Sequence, residues 1–181
     1  MINKFYKTIH NKYSTFFRFI FFLRYLLGLF VASTVLFFLI PNFFNYEKGS
    51  EIFKKHLVES YDLEILQFEK IEFNSFPLPN LELNNVLINI HSSSIELKVK
   101  KLKIFPKILS IYNYQNFETK KIVLKNSEAF LETVDLKLFV KKLFSQKNNF
   151  HFDDLSIKIN ENTKSLLSLE NIQFKNFGYK K

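Results

Sequence analysis

The side chains able to do chemistry are few and scattered. His10, His56, His91 and His151 lie far apart, with no HExxH pattern and no close pair, so a zinc site is not expected. His10 also precedes a long apolar run and stands apart from the other three. Cysteine is absent, which excludes thiolate metal ligation and a disulfide scaffold. Asp153 and Asp154 form the best carboxylate pair. Neighbours in a strand point to opposite faces, so this pair reads as a polar strand start or turn, not as an acid and a base. Gly28, Gly49 and Gly178 are the only glycines, too dispersed for a phosphate-cradling loop or a nucleophile elbow. These residues predict no enzyme, no metal and no cofactor.

Function must therefore come from the elements themselves, and the most telling is the run Phe19 to Ile40. As a helix it would be roughly 33 Å long, against a bilayer hydrocarbon core of about 30 Å. Arg24 is its sole charge and can snorkel back to the headgroups. Lys4, Lys7, Lys12, Arg18 and Arg24 make the near flank basic and free of acids. The far flank mixes Lys48, Lys54 and Lys55 with Glu47 and Glu51. The positive-inside rule then places the N-terminus in the cytoplasm and the C-terminal body across the membrane. The run ends in Pro41-Asn42-Phe43-Phe44-Asn45-Tyr46 with no small-residue cleavage pattern, as expected of an uncleaved signal anchor. Phe43, Phe44 and Tyr46 suit the aromatic belt of a membrane interface.

Net charge is +9 over 181 residues, and the basic N-terminal flank supplies much of it. Arg18 and Arg24 are the only arginines, so the remainder offers no arginine surface for nucleic acid, and no nucleic-acid partner is expected. The abundant Phe, Asn, Lys and Ile share AT-rich codons and carry little functional weight.

The chain divides into a basic arm (1–18), a transmembrane anchor (19–41), a helical connector (42–61) and a β-domain (62–181). In the connector, Ile52, Phe53, His56, Leu57 and Ser60 form a partly apolar stripe, with Ser50 as N-cap. Beyond Leu63 the period changes to two. Leu81 and Leu83 alternate with polar residues, as do Val86, Ile88 and Ile90, then Ile95, Leu97 and Val99, Leu102 and Ile104, Ile122 and Leu124, Leu155, Ile157 and Ile159, and Ile172 and Phe174. Asn84-Asn85, His91 to Ser94 and Glu161 to Lys164 read as turns. Pro106 should start a short helix. Leu136, Phe139, Val140, Leu143 and Phe144 mark an amphipathic helix capped by Thr133 and packed over one end of the sheet. A loose internal repeat pairs strands with a helical turn. The fold class is mostly β with an N-terminal transmembrane helix: a curved antiparallel sheet, as open groove or sandwich, with short capping helices.

The stretch Ser75-Phe76-Pro77-Leu78-Pro79-Asn80-Leu81-Glu82-Leu83-Asn84-Asn85-Val86 resembles the N-terminal region of AsmA-family proteins. The order of pieces is similar too: a membrane helix, a short helix, this segment, then Leu102 to Ser110 with its Pro turn, then Ile122 to Leu131. The resemblance implies a bacterial inner-membrane anchor, an elongated periplasmic β-structure with an apolar groove, and a part in lipid transport and outer-membrane biogenesis. The groove would take phospholipid, with Leu81, Leu83, Val86, Ile88, Ile90, Leu97 and Ile157 acting collectively. Family members run several times longer, so the chain is expected either to be part of a longer protein or to stack with a partner, or with itself, through an exposed sheet edge. Two alternatives stand beside this reading. One is a lipopolysaccharide-bridge β-jelly-roll of the LptC type. The other is a tethered structural protein with a closed core and no ligand.

Overall fold

The computed structural model describes residues 2–91, 93–113, 116–161 and 164–178, without the side chains of residues 2–13, 17, 164 and 165. The chain divides into two compact units, Met1–Ile40 and Pro41–Lys181.

The first unit is one helix, α1, Ile2–Leu39. It is longer than expected, because the basic arm is helical as well. No proline interrupts it, and its lone Gly28 has open space around it. A tight turn at Ile40–Phe43 follows, where Pro41 disfavours α geometry at the residue before it. Ser14–Phe43 is long and apolar enough to cross a membrane, and its apolar window has no buried part. A helix from a soluble core would bury one face. Within the span, the Thr34 hydroxyl donates to the Phe30 carbonyl at 2.8 Å, so it leaves no unmet donor in an apolar setting.

The second unit is built on one open mixed sheet. After α2 (Ser50–Tyr61) come β1 (Leu63–Gln67), β2 (Lys70–Asn74), β3 (Asn80–Ile90), β4 (Glu96–Pro106), β5 (Thr119–Glu132), α3 (Leu136–Ser145), β6 (Phe150–Glu161) and β7 (Lys164–Asn176). The order is β1-β3-β4-β5-β6-β7, and β2 shares the outer side of β3 with β1. The expectation of an all-antiparallel sheet is corrected: β5 and β6 run parallel. The amphipathic segment at Leu136–Ser145 is the reason, since it serves as the crossover helix that a parallel pair needs. No second sheet faces the first among the described residues. Helices contribute to the core instead: Phe53, Leu57 and Tyr61 of α2 and Phe139 of α3 belong to the same buried cluster as the strands.

Several local expectations also change. Gly49, not Ser50, occupies the N-cap of α2, and Ser50 is the first helical residue. Asp135 takes the position before α3 that Thr133 was expected to hold. Pro106 closes β4, and only a short turn at Ile108–Ile111 follows it. Tyr46 is a core residue. It stacks on Phe73 at 5.5 Å and its hydroxyl donates to the Pro41 carbonyl. Of the expected turns, Ser92, Asn162 and Thr163 lie outside the described residues. The described part of the first is a tight hairpin turn, with the Ser93 N–H donating to the Ile90 carbonyl.

The largest departure concerns Asn84-Asn85, which lies inside β3 and is no turn. Strands β3 to β6 each change phase once. In β3 the inward residues pass from Leu81 and Leu83 to Val86, Ile88 and Ile90, and Asn85 has φ 48°. In β4 they pass from Leu97 and Val99 to Leu102 and Ile104. In β5 the switch is at Asn126, φ 49°, and in β6 at Asp154, φ 65°. The register carries straight through: Val86 pairs with Val99, Val99 with Ser127 and Ser127 with Leu155. Asn85, Lys100, Asn126 and Asp154 therefore stand side by side as a row of matched bulges. Asn and Asp tolerate left-handed backbone, so three of the four positions hold the residue types such bulges favour. A bulge in one strand alone would slip its register. Matched bulges keep the register and hold the apolar residues on one face at both sides of the row.

Candidate functional site

All seven residues expected to line a groove are buried. Leu83, Ile88 and Leu97 are 0% exposed, Leu81 1%, Val86 2%, Ile90 4% and Ile157 7%. The sheet brings them together, since Leu83 pairs with Leu102 and Ile88 with Leu97 across β3 and β4. They share one core with Phe53, Leu57, Tyr61 and Phe139. Each such side chain contributes about 1.5–3 kcal/mol by leaving water. In this conformation none of the seven is displayed at a surface. Contact with an acyl chain at these positions requires the helical cover to shift.

That cover thins toward β7. Leu167 and Leu169 are exposed, and Ile172 and Phe174 are only partly covered. Phe144 of α3 reaches back to Phe174, ring edge to face at 5.5 Å, and closes the other end of that strand.

The residues expected to set membrane orientation belong to the first unit. Arg18 and Arg24 are exposed on α1. Lys4, Lys7 and Lys12 lie on the helical backbone, and their side chains are outside the described ones.

The polar clusters are structural in geometry. His56 Nε2 lies 3.1 Å from the Thr119 hydroxyl, which also bonds the Tyr61 hydroxyl at 2.8 Å. This network ties α2 to the start of β5. Burial lowers the pKa of His56, partly opposed by Glu118 and Glu59. His91 sits 3.7 Å from Glu64, and His151 packs its ring against Phe177. Asp153 lies 3.5 Å from Lys125, while Asp154 occupies the bulge. The histidines and the aspartate pair are thus not brought together, and no three His, Asp or Glu side chains gather into a metal site among the described residues. On the outward face, Glu82 holds Lys101 at 2.7 Å and Lys103 at 2.8 Å. Burial pushes its carboxyl up, but the two ammonium groups outweigh that and leave it below its ordinary value. A trough of about 530 Å³ follows the bulge row, lined by Asn85, Leu87, Lys98, Lys100, Asn126 and Asp154 among others.

Sequence reasoning missed an apolar rim at one end of the second unit. Asn42 donates to the Ser75 hydroxyl at 2.7 Å, and Phe44 meets Tyr112 edge to face at 5.9 Å. These contacts bring residues 42–46, the β2–β3 loop and the turn after β4 to the same end of the sheet. Phe43, Phe76, Leu78, Ile108 and Leu109 are exposed there. Of the three residues expected in an aromatic belt, Phe43 alone is fully displayed: Phe44 is half-buried and Tyr46 is buried. The sequence signal was the pair of proline-flanked apolar residues in Phe76-Pro77-Leu78-Pro79, a loop whose side chains have no strand face to turn toward.

Comparison with known proteins gives no matching family model, no matching curated protein and no matching solved structure.

Proposed function

We propose that the chain is a membrane-anchored, AsmA-like protein that takes part in envelope assembly by binding or guiding phospholipid. In this reading α1 crosses the bacterial inner membrane, with the N-terminus in the cytoplasm and the β-unit in the periplasm. One observation carries it: the apolar window of the span has no buried part, and the β-unit begins at the next residue after α1's compact unit ends, at Pro41. Such a unit works within reach of the bilayer whatever its chemistry. Support for lipid as the ligand comes from the continuous apolar face of the sheet and its thin cover at β7.

A second reading, a tethered scaffold with a closed core and no ligand, is favoured by the burial of the seven groove residues. Photo-crosslinking side chains at Leu83, Ile88 and Leu97, and at Leu167 and Leu169, separate the two in growing cells. Phospholipid adducts are the expected result. Lipopolysaccharide adducts would favour the jelly-roll bridge instead. Adducts to protein alone at all five positions would refute both carrier readings and leave the scaffold.

A further inference from the structure

We infer that the rim formed by Phe43, Phe76, Leu78 and Leu109 inserts into the bilayer surface. The inference rests on the reading that α1 spans the membrane.

The two ends of the sheet differ in what their loops display. One end carries Phe43 and Phe76, each 87% exposed, Leu109 at 79% and Leu78 at 55%. Phe177, 72% exposed, lies at the same end beside the last residues of β7. The opposite end holds the turns after β3, β5 and β6; Val134 is the exposed large apolar residue of its described turns, and Leu166 and Leu167 follow on strand β7 just beyond the last of them. Single exposed apolar residues are ordinary, but a cluster that three separate loops bring to one end marks a contact surface.

Covalent geometry selects the occupant. Phe43 is three residues beyond Ile40, so its Cα lies at most about 11 Å from the end of the first unit. Asn42 is hydrogen-bonded to Ser75, the neighbour of Phe76, so the loop tip shares that position. The covalent chain thus keeps Phe43, and the loop bonded beside it, within reach of any bilayer that α1 enters. Apolar side chains without a charged partner suit the headgroup–acyl boundary, which amphipathic surfaces enter by about 5–10 Å. Lys107, the nearest charge on the turn, is already paired with Glu118.

The absence of cysteine makes the test direct. Single variants Phe76→Cys, Leu109→Cys, Val134→Cys and Leu27→Cys of the full chain take an environment-sensitive fluorophore in nanodiscs. The discs contain phosphatidylethanolamine, phosphatidylglycerol and doxyl-labelled phosphatidylcholine. Labels at positions 76 and 109 are expected to lose roughly twofold or more of their emission, as groups at the acyl boundary do, while position 134 keeps its emission. Quenching at position 27 with none at 76 and 109 would overturn the inference and leave the anchor intact. No quenching at position 27 would remove the spanning helix on which it rests. Equal quenching at 76, 109 and 134 would also overturn it, since the contact would then not belong to one end.

Discussion

The two units handle their apolar residues in opposite ways. Along α1, Phe19, Leu27, Leu29 and Phe30 all point outward, and nothing within that unit covers them. In the β-unit, Leu83, Ile88, Leu97, Leu102 and Phe152 are fully buried by the sheet's own neighbours and by α2 and α3. A helix satisfies every backbone group internally and so can offer its side chains to lipid. A sheet with one apolar face gains its stability only when that face is covered. The difference teaches where each unit can find its apolar surroundings: α1 is long and apolar enough to take them from a bilayer, whereas the β-unit carries its own. Places where the β-unit behaves like α1, at the Phe76 rim and along Leu167 and Leu169, are then the places to look for contacts.

Substitutions can break this contrast from either side. The largest effect is expected at the centre of α1. Leu27→Arg with Phe30→Arg should cost about 5–7 kcal/mol of insertion free energy, so the chain leaves the carbonate-resistant membrane fraction. If it stays there, α1 is not the anchor. Next comes the core: Leu83→Ala should lower the unfolding free energy of the β-unit by about 3 kcal/mol while leaving membrane partition unchanged. Loss of both together would mean that the two units do not use their apolar residues separately. A smaller effect is expected at Glu82→Gln, about 1 kcal/mol, because its lysine partners are partly exposed and screened. The sign with pH follows from its lowered carboxyl. The wild-type advantage is present above the ordinary glutamate range and is lost as pH falls through the lowered folded value. Urea titrations of both proteins across that range check it.

The smallest effect concerns His56. Burial lowers its pKa, so below about 6.5 the unfolded chain binds the proton more readily than the folded one. Stability should therefore decline as pH falls below that value, and His56→Gln should flatten the decline. An unchanged slope in the variant would assign the pH dependence elsewhere.

Much of the contrast was legible beforehand. The span announces itself by length and apolarity, and the inward residues of β3 to β6 by their alternation. The bulge row was legible but misread. Asn84-Asn85 has turn chemistry, and the phase change beside it looks like two strands meeting. Only the neighbouring strands reveal that Asn126 and Asp154 break phase at the same level, which makes the break a bulge. The parallel β5–β6 pair was hidden because a crossover helix and a capping helix have the same sequence pattern. Tyr46 was read as interfacial from its neighbours Phe43 and Phe44. Its fate was decided by Phe73, a partner distant in sequence. The cover over Leu83 and Ile88 was hidden for the same reason, since a strand's alternation says that a face is apolar and not what lies upon it.

The central claim is that α1 spans a membrane with the β-unit on the far side from the N-terminus. Labelling of Asn3→Cys and Val134→Cys with a membrane-impermeant maleimide tests it directly. The account predicts that position 134 reacts in intact spheroplasts and position 3 only in inverted vesicles. Reaction of both positions from the same side would contradict it.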